Sequence, residues 1–255
     1  MDLNCSLENG IYSIKLNRPN VYNSFNRDMA LSLIDELIKC SSDDCVRVVL
    51  LSGEGKGFCA GQDLEEATSG ISLDTIISEH YNPIIEAIRG IEKPIICAVN
   101  GVAAGAGANI ALSCDIVVAK ESASFIQAFS KIGLIPDSGG TFMLPRLIGF
   151  QKASALMMMG DKIDSIDAEK MGLIYKCFND DVFDDEVYNL ALKVASMPTR
   201  ALVLTKKALN ASFGNSLSEQ LLLEKNLQII AGETNDFKEG VRSFLEKRKP
   251  IFKGN

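Results

Sequence analysis

"IICAVNGVAAGAGANIALSCDIVVAKE", residues 95–121, contains a complete strand, small-residue loop, helix and strand in 27 residues. Pro94 introduces the first apolar run, which is too short for a helix and ends at Asn100-Gly101. "GAGANIALSC" then reads as a helix opened by small residues, and "DIVVAKE" as the next strand. The same order stands upstream, where "VRVVLLSG" (46–53) is a buried strand stopped by glycine. Recurrence of strand, glycine and helix predicts an α/β fold.

Around this unit, residues 2–16 alternate about "ENG" and predict two strands joined by a tight turn. "FNRDMALSLIDELIKCSSD" and "YNPIIEAIRGIEKP" carry apolar residues at helical spacing. From about residue 150 six segments read as helices: "FQKASALMMMG", "SIDAEKMG", "DDEVYNLALKVASM", "PTRALVLTKKALNAS", "SLSEQLLLEKNLQIIAG" and "NDFKEGVRSFLEKRK". The last three follow Pro198 and read as amphipathic. The expected division is a core over residues 1–196 and a helical oligomerisation region over 197–255.

The 255 residues are 47% hydrophobic and 23% charged, which suits a soluble globular chain that can bury a large core. A net charge of −7 argues against nucleic acid, whose phosphates call for clustered cations. No charged-then-apolar leader opens the sequence and no apolar run reaches ~18 residues, so neither secretion nor a membrane span is expected. Seven scattered cysteines without a CxxC pair indicate a reducing compartment, the cytoplasm, and no structural zinc. His80 is the sole histidine, and before a helix it reads as exposed or capping. Met157–Met159 read as helix packing.

Two glycine-rich loops follow strands. "LSGEGKGFCAGQDL" (51–64) contains Gly55-x-Gly57-x-x-Ala60, but an acidic, irregular segment follows where a dinucleotide fold needs a long helix and a further strand. Lys56 precedes glycine, not Ser or Thr, which excludes a Walker A loop. The second loop lies in "VNGVAAGAGANIAL". Small residues let a ligand approach the backbone, and a helix start leaves N–H groups free. Two such loops can form an oxyanion hole. Tight helix–strand packing would use the same residues. In the first loop Cys59 is expected to face the core, and Asp63, Glu65 and Glu66 a solvated mouth, with Asp63 tethering its own loop.

"NRPNVYNSFN", "GFCAGQDL", "VNGVAAGAG", "CDIVVAKESASF" and "IGLIPDSGGTFMLPRLIG" occur in order along the chain, down to the terminal "FLEKRKPIF". In order and spacing they resemble the crotonase (enoyl-CoA hydratase/isomerase) superfamily. "FCAGQDL", "YNPII", "GVAAGAG" and "IPDSGG" look most like its phenylacetate-pathway ring-epoxide isomerases. The resemblance implies a spiral of ββα turns with C-terminal helices that build a homotrimer or homohexamer. It implies an acyl-CoA thioester as substrate, with coenzyme A part of that substrate and no separate cofactor. By motif, the thioester oxygen would sit between the N–H groups of Ala60 and Ala106. Gly61, Gln62, Asp63 and Leu64 would line the acyl group, as would Phe129. Asn20 and Tyr22 would line the CoA path, and Phe244 and Lys247 would reach it from a neighbouring subunit.

Hydratases of the superfamily hold water between two glutamates. This chain has Asn109 and Phe129 at those positions, and neither can take a proton. Aryl-CoA dehalogenases need an imidazole where this chain has Glu86. Asp137 stands where the ring-epoxide isomerases carry their catalytic aspartate. Locally, an aspartate before "SGGTFMLPRL" is also a helix N-cap. The two loops and the missing glutamates favour the base, since the site would otherwise have none. The expected chemistry is isomerisation of an acyl-CoA through an enolate. The alternatives are an atypical hydratase and a non-catalytic CoA-binding homologue.

Overall fold

The computed structural model describes residues 2–68 and 70–255; the side chains of Leu64 and Ala67 lie outside the described set, and with them the expectation for Leu64. Strand β1 (Leu3–Glu8) pairs antiparallel with β2 (Ile11–Leu16), Glu8 opposite Ile11. Asn9 and Gly10 take φ of 51° and 77°, the backbone that matches a two-residue hairpin to strand twist. Helix α1 (Arg27–Ser42) starts where the Asn26 side chain accepts the Met29 N–H at 2.9 Å. It buries Met29, Ala30, Leu33, Leu37 and Cys40, one stripe of an amphipathic helix.

The chain then moves repeatedly between two sheets. After β3 (Val48–Gly53) come β4 (Gly57–Cys59), the short helices α2 (Leu64–Ala67) and α3 (Leu73–Thr75), a π-helical turn at Ile76–Tyr81 and α4 (Asn82–Gly90). The unit at 95–121 gives β5 (Ile95–Val99), β6 (Val102–Ala104), α5 (Ala106–Leu112) and β7 (Ile116–Lys120). Next are β8 (Ser124–Ile126), α6 (Gly140–Ile148), α7 (Phe150–Met159), β9 (Lys162–Asp164), α8 (Ser165–Met171) and β10 (Lys176–Phe178). Four helices close the chain: α9 (Phe183–Ala195), α10 (Thr199–Ser212), α11 (Leu217–Gly232) and α12 (Asn235–Leu245).

The larger sheet has the order β1-β2-β3-β5-β7-β10 and is parallel from β2 onward; the smaller has β4-β6-β8-β9. Residues of β5 alternate between the two faces of the large sheet. Ile95, Cys97 and Val99 join the core beneath α1 and α4, while Ile96 and Ala98 join the cluster under α9. Both faces are covered, so the strand reads as an unbroken apolar run. Strands β4 and β6 fall inside the segments expected to be loops. Three residues each, Gly-Phe-Cys and Val-Ala-Ala, carry too little periodicity to announce a strand; pairing with distant partners creates it.

All six helices expected after residue 150 are present. Helix α10 is tied inward by Lys206, whose buried ammonium donates to the Ile88 carbonyl at 2.7 Å and to Asp115 at 2.8 Å. Arg146 of α6 stacks on Phe142, 3.7 Å from its ring centroid, and Phe142 meets Phe213 edge-on. Helix α11 differs from its amphipathic reading: it buries none of its residues, and Leu217, Leu221, Leu222, Ile229 and Ile230 are exposed. Met157 packs against the core, whereas Met158 and Met159 are exposed, against the packing expected of all three. Among the described residues no helix is long and apolar enough to cross a membrane.

Candidate active site

Strands β4 and β6 run parallel, Gly57 beside Val102 and Cys59 beside Ala103. The loops that leave them, after Cys59 and after Ala104, are therefore neighbours. A Cβ on Gly61 would stand 3.0 Å from the Ala104 carbonyl oxygen and 3.6 Å from the Ala106 nitrogen. Ala106 is the first residue of α5, so its N–H has no acceptor within the helix. The packing explanation holds for Gly107 beside it, where a Cβ would lie 2.6 Å from the Cys59 carbonyl oxygen. Cys59 is fully buried, as expected, and burial pushes its thiol up to about 12.

The Ala60 amide is not free. It donates to the Tyr22 carbonyl at 2.9 Å, which corrects the expectation that Ala60 supplies the first oxyanion donor. Two residues on, Phe25 pairs with the same loop. Its N–H donates to the Gly61 carbonyl at 2.7 Å, and its carbonyl accepts the Asp63 N–H at 2.9 Å. In an extended segment successive residues present their backbone groups to opposite sides. The intervening Gln62 N–H therefore points away from Phe25, and it meets no acceptor among the described residues. The unpaired amides of the two loops belong to Gln62 and Ala106.

Both residues line a cavity of about 570 Å³. Its wall includes Ala60, Gly61, Gln62, Asp63, Ala106, Phe129 and Asp137 from the expected set. It also includes Val21, Ile71, Leu73, Ile76, Tyr81, Ile132 and Leu134, which make it largely apolar; all but Val21 fall in the 66–84 and 125–143 regions on which the sequence makes pocket size depend, though none was singled out as lining. Tyr81 stood within the quoted "YNPII"; its hydroxyl donates to the Gln62 side-chain oxygen at 2.7 Å. Which individual residues of those regions line the cavity carried no signal, since only the fold brings 21, 71–76 and 129–134 together.

Asp137 precedes α6 but does not cap it. The cap is Gly139, with no side-chain hydrogen bond, and the Asp137 carboxylate accepts instead from the Ser138 hydroxyl at 2.9 Å. Burial pushes the Asp137 carboxyl above the ordinary aspartate range, and the Ser138 bond offsets only part of that. Two other carboxylates reach the cavity wall. Glu65 is exposed. Asp63 is buried, against the solvated mouth expected of it, and pairs with Arg18 at 2.7 Å. It does tether its own loop, accepting the Glu65 N–H at 3.0 Å. Burial would raise the Asp63 carboxyl, but Arg18 and the loop N–H groups outweigh it and hold the group below its usual range.

Removing that partner has a measurable cost. Arg18→Met leaves a buried carboxylate uncompensated and is expected to destabilise the fold by about 3 kcal/mol at pH 7 in urea denaturation. Because the Asp63 pKa is depressed in the fold, its stabilisation is complete above about pH 4 and lost as pH falls through the folded-state value. The gap between parent and variant should close in that window.

The remaining expected residues lie elsewhere. Asn20 is exposed and Tyr22 is 51% exposed, beside the cavity residue Val21. Phe244, 83% exposed on α12, and Lys247 beyond it line no part of this cavity within the chain. Glu86 is exposed on α4 and is not part of the wall. His80 is 2% exposed, not at the surface: Arg27 lies 3.1 Å from its Nε2, and burial with that charge pushes its pKa down.

Residues 6–255 match the enoyl-CoA hydratase/isomerase family. The chain is 44% identical to the 1,2-epoxyphenylacetyl-CoA isomerase of Escherichia coli K12, with 97% of each chain covered. It is 34% identical to the trans-2-decenoyl-[acyl-carrier-protein] isomerase of Streptococcus mutans, over 98% of this chain and 97% of the relative. Among solved structures, the enoyl-CoA hydratase of Bacillus anthracis superposes with a TM-score of 0.94 at 32% identity, with both chains fully covered. A family match over nearly the whole length, on a fold of two sheets with paired glycine loops, makes this chain a member of the enoyl-CoA hydratase/isomerase family.

Proposed function

We propose that the protein isomerises an acyl-CoA thioester through an enolate, with Asp137 as its one base. The supporting observation is the composition of the cavity wall: an elevated, desolvated carboxylate in the same apolar space as two unpaired amides. In this reading the thioester oxygen accepts the N–H groups of Gln62 and Ala106. Their hydrogen bonds strengthen as negative charge develops, which acidifies the α-carbon. Asp137 takes the C2 proton; the C2–C3 bond becomes double as the C3–C4 π pair receives the proton at C4. No water enters the balance. Asn109, buried and amide-bonded, and Phe129, apolar, offer nothing to activate water. The 44% identical relative suggests a ring-epoxide acyl group, rearranged to its oxepin, as the other candidate substrate. Coenzyme A would enter as part of the substrate, and Phe244 and Lys247 would contact it from another copy in a homotrimer or homohexamer.

A panel of 3-enoyl-, 2-enoyl- and ring-epoxide CoA thioesters tests this. Isomerisation of the 3-enoyl or epoxide thioester is expected, with hydration of crotonyl-CoA far slower. Hydration at a comparable rate would overturn the single-base reading in favour of an atypical hydratase. Binding of the whole panel with no turnover would leave only a CoA-binding protein.

A further inference from the structure

We infer that Asn109 is a positioning residue that holds the Asp137 loop at a set place relative to the Ala106 amide. Asn109 lies one turn into α5, the helix whose first residue is Ala106. Its side chain is 1% exposed and is used at both ends. The amide nitrogen donates to the Asp137 backbone carbonyl at 2.8 Å, and the amide oxygen accepts from the Gln127 side chain at 2.8 Å. The Asp137 carbonyl can only accept, so it fixes which way the carboxamide points: the nitrogen faces Asp137, and the oxygen is left to take the Gln127 donor.

The loop needs such support. Immediately after Asp137, Ser138 takes φ of 48° and Gly139 takes φ of 72°, consecutive left-handed residues. Ser138 is not glycine, so this conformation costs energy and persists only when its surroundings impose it. The Asp137 carbonyl also accepts the Gly140 N–H at 2.8 Å, and Asn109 bonds to that same oxygen. Gly140 is shaped to the contact: a Cβ there would lie 2.4 Å from the Asn109 amide nitrogen. The carboxylate and the oxyanion amide are thus joined through four residues of one helix, Ala106 to Asn109, and a single hydrogen bond. A proton-transfer geometry tolerates little slack, so loosening this link lowers turnover without touching the thioester.

The inference rests on the reading of Asp137 as the base, and the experiment separates the two. Asn109→Ser, Asp137→Asn and the double variant are assayed on the CoA thioester that the parent isomerises fastest. Asn109→Ser should lower kcat on the order of 10- to 100-fold with KM nearly unchanged. In the Asp137→Asn background it should cost almost nothing more, because the group it positions is gone. Gln127→Met, which removes the donor to the Asn109 carboxamide oxygen, should lower kcat in the same way but less, and carries the test if Asn109→Ser does not fold. Wild-type kcat in Asn109→Ser, a change confined to KM, or a full multiplicative loss in the double variant would overturn the inference while Asp137 stands. Full turnover by Asp137→Asn alone would remove the base and this inference together.

Discussion

Asp137→Asn should lower kcat for isomerisation on the order of 10³-fold while binding of the CoA thioester is retained, since a positioned general base contributes roughly 10²–10⁴-fold. The amide keeps the size of the side chain and can still accept from Ser138, so the cavity stays closed around the substrate. Only the proton acceptor is lost. Single-turnover kinetics beside a direct binding titration separate the two effects. Turnover at the parent rate would sink the assignment.

The same variant should be more stable than the parent at pH 7. Burial raises the Asp137 pKa in the fold, so the parent spends folding free energy to keep that carboxylate ionised. The penalty is absent below the unfolded value, about 3.9, and complete above the folded one. Thermal melts should therefore favour Asp137→Asn at neutral pH and converge as pH falls through that window. In the parent, kcat/KM should fall on the acid side at a pH above the ordinary aspartate range, because the base must be ionised. A stabilised, inactive variant is what a functional charge in an apolar cavity predicts; a helix cap would lose stability instead.

Ala106→Pro is expected to cost about 3–4 kcal/mol of transition-state stabilisation, roughly 10²–10³-fold in kcat. Proline at the first helical position preserves the fold, because the amide it deletes has no intrahelical partner and its φ suits a helix start. Gly105 before it adopts φ 53° and ψ −128°, which avoids the right-handed helical region that proline denies its predecessor. The substitution thus removes one N–H from the cavity, and the pyrrolidine ring occupies the space in front of it. Ala106→Gly keeps the amide and should retain kcat. If Ala106→Pro folds and turns over like the parent, the oxyanion hole does not involve Ala106. Gln62→Ala, by contrast, leaves the backbone donor in place and removes only the side chain that meets Tyr81.

The α/β alternation, the hairpin at Asn9-Gly10 and the six helices after residue 150 were legible because each depends on local periodicity or turn chemistry. The short strands β4 and β6 were not, for their pairing is entirely with distant segments. The same contrast runs through the site. The resemblance to the family singled out Asp137 as the candidate base and placed Asn109 and Phe129 where hydratases hold glutamates. His80 and Asp63 were misjudged as exposed. A charged or polar residue next to a helix start looks solvated unless its partner is known, and Arg27 and Arg18 come from other parts of the chain.

The sequence by itself determined two small-residue loops after strands, and through its resemblance to the family it offered one candidate base and no glutamate pair. It could not say which amide in the first loop is free, because every residue there carries the same N–H. Tertiary structure decided that. The segment between β2 and α1 lays Tyr22 and Phe25 against residues 60–63, consumes the Ala60 donor and turns Gln62 the other way. Whether Asp137 caps a helix or faces a cavity was likewise a matter of where the chain places it, and the Asn109 amide holds it there.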